Sequence, residues 1–258
     1  MHSFPTVQSV ARALKLLAEI NRIGTATVGD LHRRTQIPKP TIVRLVETLM
    51  GEGYVYKDHR MGGYQVTGRA AELSSGFHSA PMVLEVARPW AIDLTRRVRW
   101  PASLCTLDGE GDGVVVQYST IADSPMSPFH STVGVKLSLG ARALGRAYLC
   151  FCPDHERTML HEVMRKSPNP ENHLDRAALD RIVATARRNG FAERDSKVRP
   201  RTSATVAVPL MLEARVVATF GVTFFRSAMP VAVLQKKLVA PMREAAAGIE
   251  RELRDRTR

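Results

Sequence analysis

Between Leu31 and Val46 the chain carries four basic side chains, Arg33, Arg34, Lys39 and Arg44, and not one acid. Lys39, Thr41 and Arg44 fall near the start of a stretch, Lys39–Leu49, whose apolar residues recur at helical spacing. Val43, Val46, Leu49 and Met50 share a stripe, with Ile42 and Leu45 on its flank. An ammonium, a hydroxyl and a guanidinium at the start of an amphipathic helix can meet phosphates and base edges in a major groove. The same residue types also make an ordinary solvated helix surface, so this stretch does not decide the matter alone. Lys57 and Arg60 lie further on, near the tip of an expected hairpin. They read equally as contacts to a nucleic-acid backbone and as solvated turn residues.

Other chemistries find little support. The chain has no G-x-S-x-G elbow, no P-loop glycine pattern and no histidine-rich metal constellation. Gly109, Gly111 and Gly113 lie between two expected strands with no helix after them, so they read as a turn and not a dinucleotide loop. Cys105, Cys150 and Cys152 make no disulfide framework, and the last two are too close for a zinc or redox pair. No cofactor or metal is expected. The thiols, the lack of a signal core and the lack of an apolar run of ~20 residues lead us to expect a cytoplasmic protein with no membrane partner.

The formal charge of +12 and pI near 10.2 favour acidic or polyanionic partners. Residues 1–78 hold a net +4 and the remainder +8, so basicity is spread along the chain and does not locate the contact surface. With 44% hydrophobic residues over 258 positions, two cores of ordinary size are affordable.

The elements that must position the basic residues follow from local signals. Val7, Val10, Leu14, Leu17 and Ile20 mark a first amphipathic helix ending near Gly24. Thr27 and Asp30 have the form of a capping box before a second helix. Ile37-Pro38 breaks that helix and the basic stretch then begins a third, completing a helix-turn-helix. Gly51 and Gly53 close it. Tyr54–Lys57 and Gly63–Val66 alternate as a hairpin with its tip at 58–62. A helical stretch from Arg69, a break at 76–81 and a helix from Met82 to about Arg99 connect this part to the rest. Val83, Val86, Ala87, Trp90, Leu94 and Val98 form the stripe of that last helix. Beyond Ala102 the pattern is strands at 103–107, 113–118, 203–212 and 216–225, with helices at 154–165, 175–189 and 231–255. Such a pattern suits a central antiparallel or mixed sheet with helices on its faces.

Val7–Leu17 (VQSVARALKLL), Pro40–Leu49 (PTIVRLVETL) and Glu52–Val55 (EGYV) together resemble the DNA-binding domain of IclR-type transcriptional regulators. The segment Val133–Ala147 (VGVKLSLGARALGRA) resembles that family's effector domain. The resemblance implies an α/β (α+β) protein. Its parts would be a winged helix-turn-helix over 1–68, a helical connector over 69–99, and a GAF-like effector-binding domain over 100–258. It further implies that Arg33, Arg34, Lys39, Thr41, Arg44, Lys57 and Arg60 face a double-stranded DNA operator. Homodimers or tetramers are implied as well, and RNA polymerase stays open as a further partner. Where many members place Ser or Thr before the reader helix, this chain has Lys39-Pro40.

Carried over segment by segment, the effector pocket takes its walls from Cys105, Phe129, His130, Leu139, Gly140, Ala141, Arg142, Asp195, Ser203, Thr205, Gly221 and Thr223. Arg142 departs from the small hydroxyl residue usual there. A planar guanidinium beside a pocket suits a carboxylate, or it pairs with an acid such as Asp195. His130 would bond a ligand or satisfy its neighbours. Trp100–Asp108 (WPASLCTLD), Ser127–His130 (SPFH) and Leu149–Pro153 (LCFCP) are similar to the branch that regulates catabolism of 3-(3-hydroxyphenyl)propionate and related aromatic acids. The expectation is a regulator controlled by a small aromatic carboxylic acid. The alternatives are a small enzyme acting on such an acid and a DNA-binding protein indifferent to effectors.

Overall fold

The computed structural model describes residues 5–60, 62–73, 82–127 and 132–257, which divide into two compact units, residues 1–79 and 80–258. In the first unit, α1 (Gln8–Ile23), α2 (Val28–Thr35) and α3 (Lys39–Gly51) precede a hairpin of β1 (Val55–Asp58) and β2 (Gly63–Val66) and a single turn of helix, α4 (Arg69–Glu72). Thr27 and Asp30 form the expected capping box: Thr27 Oγ1 accepts from the Asp30 amide at 3.1 Å, and the Asp30 carboxylate accepts from the Thr27 amide at 3.0 Å. Gln36 ends α2 in the left-handed region, at φ 60°. Thr35 then holds the turn, its hydroxyl donating to the Leu31 carbonyl and accepting from the Ile37 amide. Pro40 sits in the first turn of α3, where a missing N–H leaves no helical bond unmade.

Leu16, Leu17, Ile20, Leu31, Ile42, Val46, Leu49 and Val55 close a small core between these helices and the hairpin. Two details differ from the sequence expectation. The buried stripe of α3 is Ile42, Val46 and Leu49, with Leu45 beside it, while Val43 and Met50 are exposed. On α1 only the later residues of the expected stripe are buried. Val10 and Leu14 are exposed, because packing centres on Leu16, Leu17 and Ile20, a quarter to a third of a turn round the helix. The hairpin gains a third short partner: Ala26 and Tyr64 exchange both backbone bonds, at 3.0 and 2.9 Å.

The second unit is built on a six-stranded sheet in the order β5-β4-β3-β8-β7-β6. The strands are β3 (Ala102–Leu107), β4 (Gly113–Ser119), β5 (Lys136–Ser138), β6 (Ala192–Glu193), β7 (Ser203–Leu212) and β8 (Arg215–Phe225). Every pairing is antiparallel, which decides between the antiparallel and mixed sheets left open by the sequence. The turn from β3 to β4 holds Gly109 and Gly111, and Gly113 opens β4, as expected of a hairpin. Lys136 on β5 spans its carboxylates, touching Asp108 and Asp112 and lying 2.6 Å from Glu110.

One face of the sheet is covered by α5 (Met82–Val98) and by the C-terminal α10 (Ala240–Thr257), which continues from α9 (Val231–Leu234) through one wide π turn at Gln235–Val239. Leu104, Val206, Val208, Phe220, Val222 and Phe224 alternate onto that face. Gly248 lets α10 approach α5, since a Cβ there would lie 2.2 Å from the Trp90 ring. The expected connector helix is thus, over 82–98, a wall of this core. The other face carries α6 (Ala143–Phe151), α7 (Asp154–Lys166) and α8 (Arg176–Asn189), packed through Leu144, Ala147, Leu160, Val183 and Ala186.

Candidate nucleic-acid interface and effector cavity

Lys39 and Arg44 are exposed on α3, Thr41 is half-buried, and neither cation forms an ion pair among the described residues. Val43, expected in the core, instead joins Lys39 and Arg44 on the outer surface, where an apolar group can meet a thymine methyl. Arg34 is exposed on α2, whereas Arg33 is drawn back onto Asp30. His32 positions the turn by bonding the Ile37 carbonyl through Nδ1 at 2.8 Å. Lys57 and Arg60 are exposed on the hairpin. The hairpin's own bend is held by buried Asp58, which accepts from the Arg60 amide at 2.8 Å and from Gln65 Nε2 at 2.9 Å.

In the second unit, Ser103, Cys105, Thr219, Gly221, Thr223, Thr205 and Ala207 share the face that α6 covers, by their cross-strand register. Gly221 and Ala207 are small where α6 presses onto the sheet; a Cβ on Gly221 would lie 2.9 Å from the Leu144 side chain. Next to that contact, with Leu144 in its lining, lies a cavity of about 230 Å³. Pro101, Val116, Ile121, Val135, Leu137 and Leu144 supply its apolar wall, and Ser103, Thr132, Thr205, Thr223, Arg142 and Arg194 supply its polar groups.

Three expected pocket residues therefore line this cavity: Arg142, Thr205 and Thr223. The last two sit opposite each other on β7 and β8 with their hydroxyls 3.0 Å apart. The others have different positions. Cys105 is buried in the neighbouring core, and burial pushes its thiol far above the ordinary range. Burial likewise pushes Cys150 up to about 11 and Cys152 up to about 12, so none of the three is poised as a thiolate. Leu139 and Ala141 are buried without lining the cavity, and Gly140 is confined by the Glu171 carbonyl, 2.3 Å from where its Cβ would stand. Ser203 is buried at the start of β7 and receives Arg194. Asp195 lies outside the cavity, paired with Arg146 at 2.8 Å. Its carboxyl is held below the usual range, chiefly by the Lys197 amide and then by Arg146. Phe129 and His130 lie outside the described residues.

Two guanidiniums line the cavity in different states. Arg142 is engaged by Glu171, not by Asp195: its Nε and Nη2 donate to the two carboxylate oxygens at 2.8 and 2.7 Å. Arg142 and Ser138 together hold the Glu171 carboxyl below its ordinary value. Arg194, just after β6, was not anticipated. It neighbours Asp195 in sequence, but a single arginine after a two-residue strand has no periodic signal to mark it as inward-facing. It is only 6% exposed. Its Nη2 donates to the Pro200 carbonyl at 2.8 Å, to Ser203 Oγ at 3.1 Å and to the Ser203 carbonyl.

A helix-turn-helix with a basic reader helix and a hairpin, carried with a separate antiparallel-sheet unit, defines a two-part DNA-binding regulator. The IclR helix-turn-helix domain matches residues 9–59, and the C-terminal domain of bacterial IclR transcriptional regulators matches residues 78–251. The chain belongs to the IclR family and is a DNA-binding transcriptional regulator. It is similar to the HTH-type transcriptional regulator XynR of Escherichia coli K12, 27% identical over 86% of this chain and 88% of XynR. Among solved structures it resembles the Thermotoga maritima IclR, with a TM-score of 0.70 at 18% identity, covering 96% and 99% of the two chains. That likeness concerns the fold. It also resembles an IclR homologue from Microbacterium hydrocarbonoxydans complexed with 4-hydroxybenzoate, with a TM-score of 0.66 at 25% identity over 96% and 99% of the chains.

Proposed function

We propose that this regulator binds its operator through α3 and the hairpin and is controlled by a small aromatic carboxylic acid held in the cavity beneath α6. The observation that carries the reading is the cavity itself: about 230 Å³, walled mainly by aliphatic side chains, with two arginines and four hydroxyl side chains in its lining. A cavity of about 150 Å³ takes benzene, and drug-sized ligands occupy roughly 300–1,000 Å³. The volume here suits one aromatic ring with short substituents. The likeness to a homologue complexed with 4-hydroxybenzoate supports the same ligand class, and an aromatic-acid operon is the natural target of such a sensor.

On the DNA side, Lys39, Thr41 and Arg44 would meet the operator with Val43 beside them, and Arg34, Lys57 and Arg60 would reach the flanking backbone. We infer a cytoplasmic homo-oligomer that carries out no turnover. The test is operator binding to DNA from upstream of its own gene, with and without benzoate, 4-hydroxybenzoate and 3-(3-hydroxyphenyl)propionate, alongside thermal unfolding with each acid. At least one acid should raise the melting temperature and change operator affinity. No shift with any of them would overturn effector control, and steady consumption of an acid would favour an enzyme.

A further inference from the structure

We propose that Arg194, together with Thr132, is the group that holds the effector's carboxylate, and that the site selects monoanions over neutral molecules of the same shape. This assignment rests on the effector reading above and gives that cavity a charge rule.

Charge balance is the first argument. Arg142 and Glu171 form a closed fork-to-fork pair, so together they bring no net charge to the cavity. Arg194 forms no ion pair among the described residues, and its Nη2 is spent on two backbone carbonyls and one serine hydroxyl, all neutral. A guanidinium does not shed its proton in a protein. The cavity therefore carries one uncompensated positive charge, and Arg194 is its source. Burial, followed by the nearby Arg142 and Arg226, lowers the proton affinity of Arg194, and Glu171 offsets this only in part.

Hydrogen bonding is the second. Buried donors almost always find partners, yet Arg194 Nε and Thr132 Oγ1 are both buried and have none. Both residues line this one cavity. They reach it from different parts of the chain, Thr132 before β5 and Arg194 after β6, so a local turn motif does not explain the coincidence. A carboxylate between them would accept from Nε and from the threonine hydroxyl, replacing two orphaned groups with charge-assisted bonds. The Thr205–Thr223 hydroxyl pair, which also lines the cavity, can serve a second polar substituent on the ring.

The experiment compares 4-hydroxybenzoate with 4-hydroxybenzamide by calorimetric titration of the full chain. The two share ring and shape and differ in charge. The wild-type protein should bind the acid roughly tenfold or more tightly than the amide. Arg194→Gln should abolish that preference, and Arg194→Lys should keep part of it. Equal binding of acid and amide by the wild type would overturn the anchor while leaving an aromatic effector standing. Retention of the preference in Arg194→Gln would also overturn it. Binding of neither compound, nor of any other aromatic acid, would sink the effector reading and this assignment together. If Arg194→Gln does not fold, Thr132→Val decides: acid affinity should fall severalfold with amide affinity unchanged, and an unaltered acid titration refutes the proposal.

Discussion

The two arginines at the cavity show how neighbours, not residue type, set what a side chain can do. Arg142 has the fork geometry suited to a carboxylate, and its fork is filled by Glu171 of the same chain. That pair makes a pH-dependent contribution to stability whose sign follows from linkage. The Glu171 carboxyl is held below its ordinary value, so in acid the unfolded chain takes up this proton before the folded one does. The stabilisation is complete above the ordinary glutamate range and fades as pH falls through the lower folded value. Arg142→Ala should cost about 1–2 kcal/mol near neutrality, and the gap to wild type should narrow as pH drops below about 4. Thermal unfolding of both proteins across pH 3–7 measures this; a gap independent of pH would mean the pair is energetically idle.

At the scale of elements, what α3 presents to solvent is set by what surrounds it. Its inward stripe of Ile42, Val46 and Leu49 fixes its rotation, and that rotation turns Lys39, Val43 and Arg44 outward together. The capping box of α2 and the Thr35 turn set where α3 begins. If Arg44 contacts a base edge, Arg44→Ala should weaken operator binding by about 1–3 kcal/mol and relax the preference at one position. If it contacts phosphate, affinity should fall uniformly across sequences and the salt slope should shrink. Competition binding at two salt concentrations separates these outcomes, and unchanged affinity removes Arg44 from the interface. In the second unit, the close approach of α6 at Gly221 keeps that helix on the sheet, and the cavity opens next to this contact.

For the whole molecule, effector control requires the acid to favour the arrangement that binds operator more, or less, strongly. Thermodynamic linkage then makes the effect reciprocal: if 4-hydroxybenzoate changes operator affinity by some factor, saturating operator must change affinity for 4-hydroxybenzoate by the same factor. Titrating the acid with and without operator DNA checks this, and an acid affinity blind to operator would uncouple the two units. The +12 charge has a subordinate part here. Distributed along both units, it raises association rates and general affinity for DNA without selecting a sequence.

What the sequence determined by itself was local and periodic. The capping box at Thr27, the break at Ile37-Pro38, the β1–β2 hairpin and the long β7 and β8 strands are short-range signals, and the structure has each of them. The motifs at 7–17, 40–49 and 133–147 pointed to the family for the same reason: they lie in continuous stretches. Tertiary structure decided which face of each element was buried and which distant residues met. Val43 moved outward and Leu16 inward because packing chooses among helical faces that differ by a fraction of a turn. Asp195 turned to Arg146, Arg142 to Glu171, and Arg194 to the cavity, because charge partners are set by folded distances over tens of residues. No spacing rule encodes such distances. The side chain proposed to hold a carboxylate has no periodic signal in the sequence and is marked only by two orphaned polar groups that line the same space.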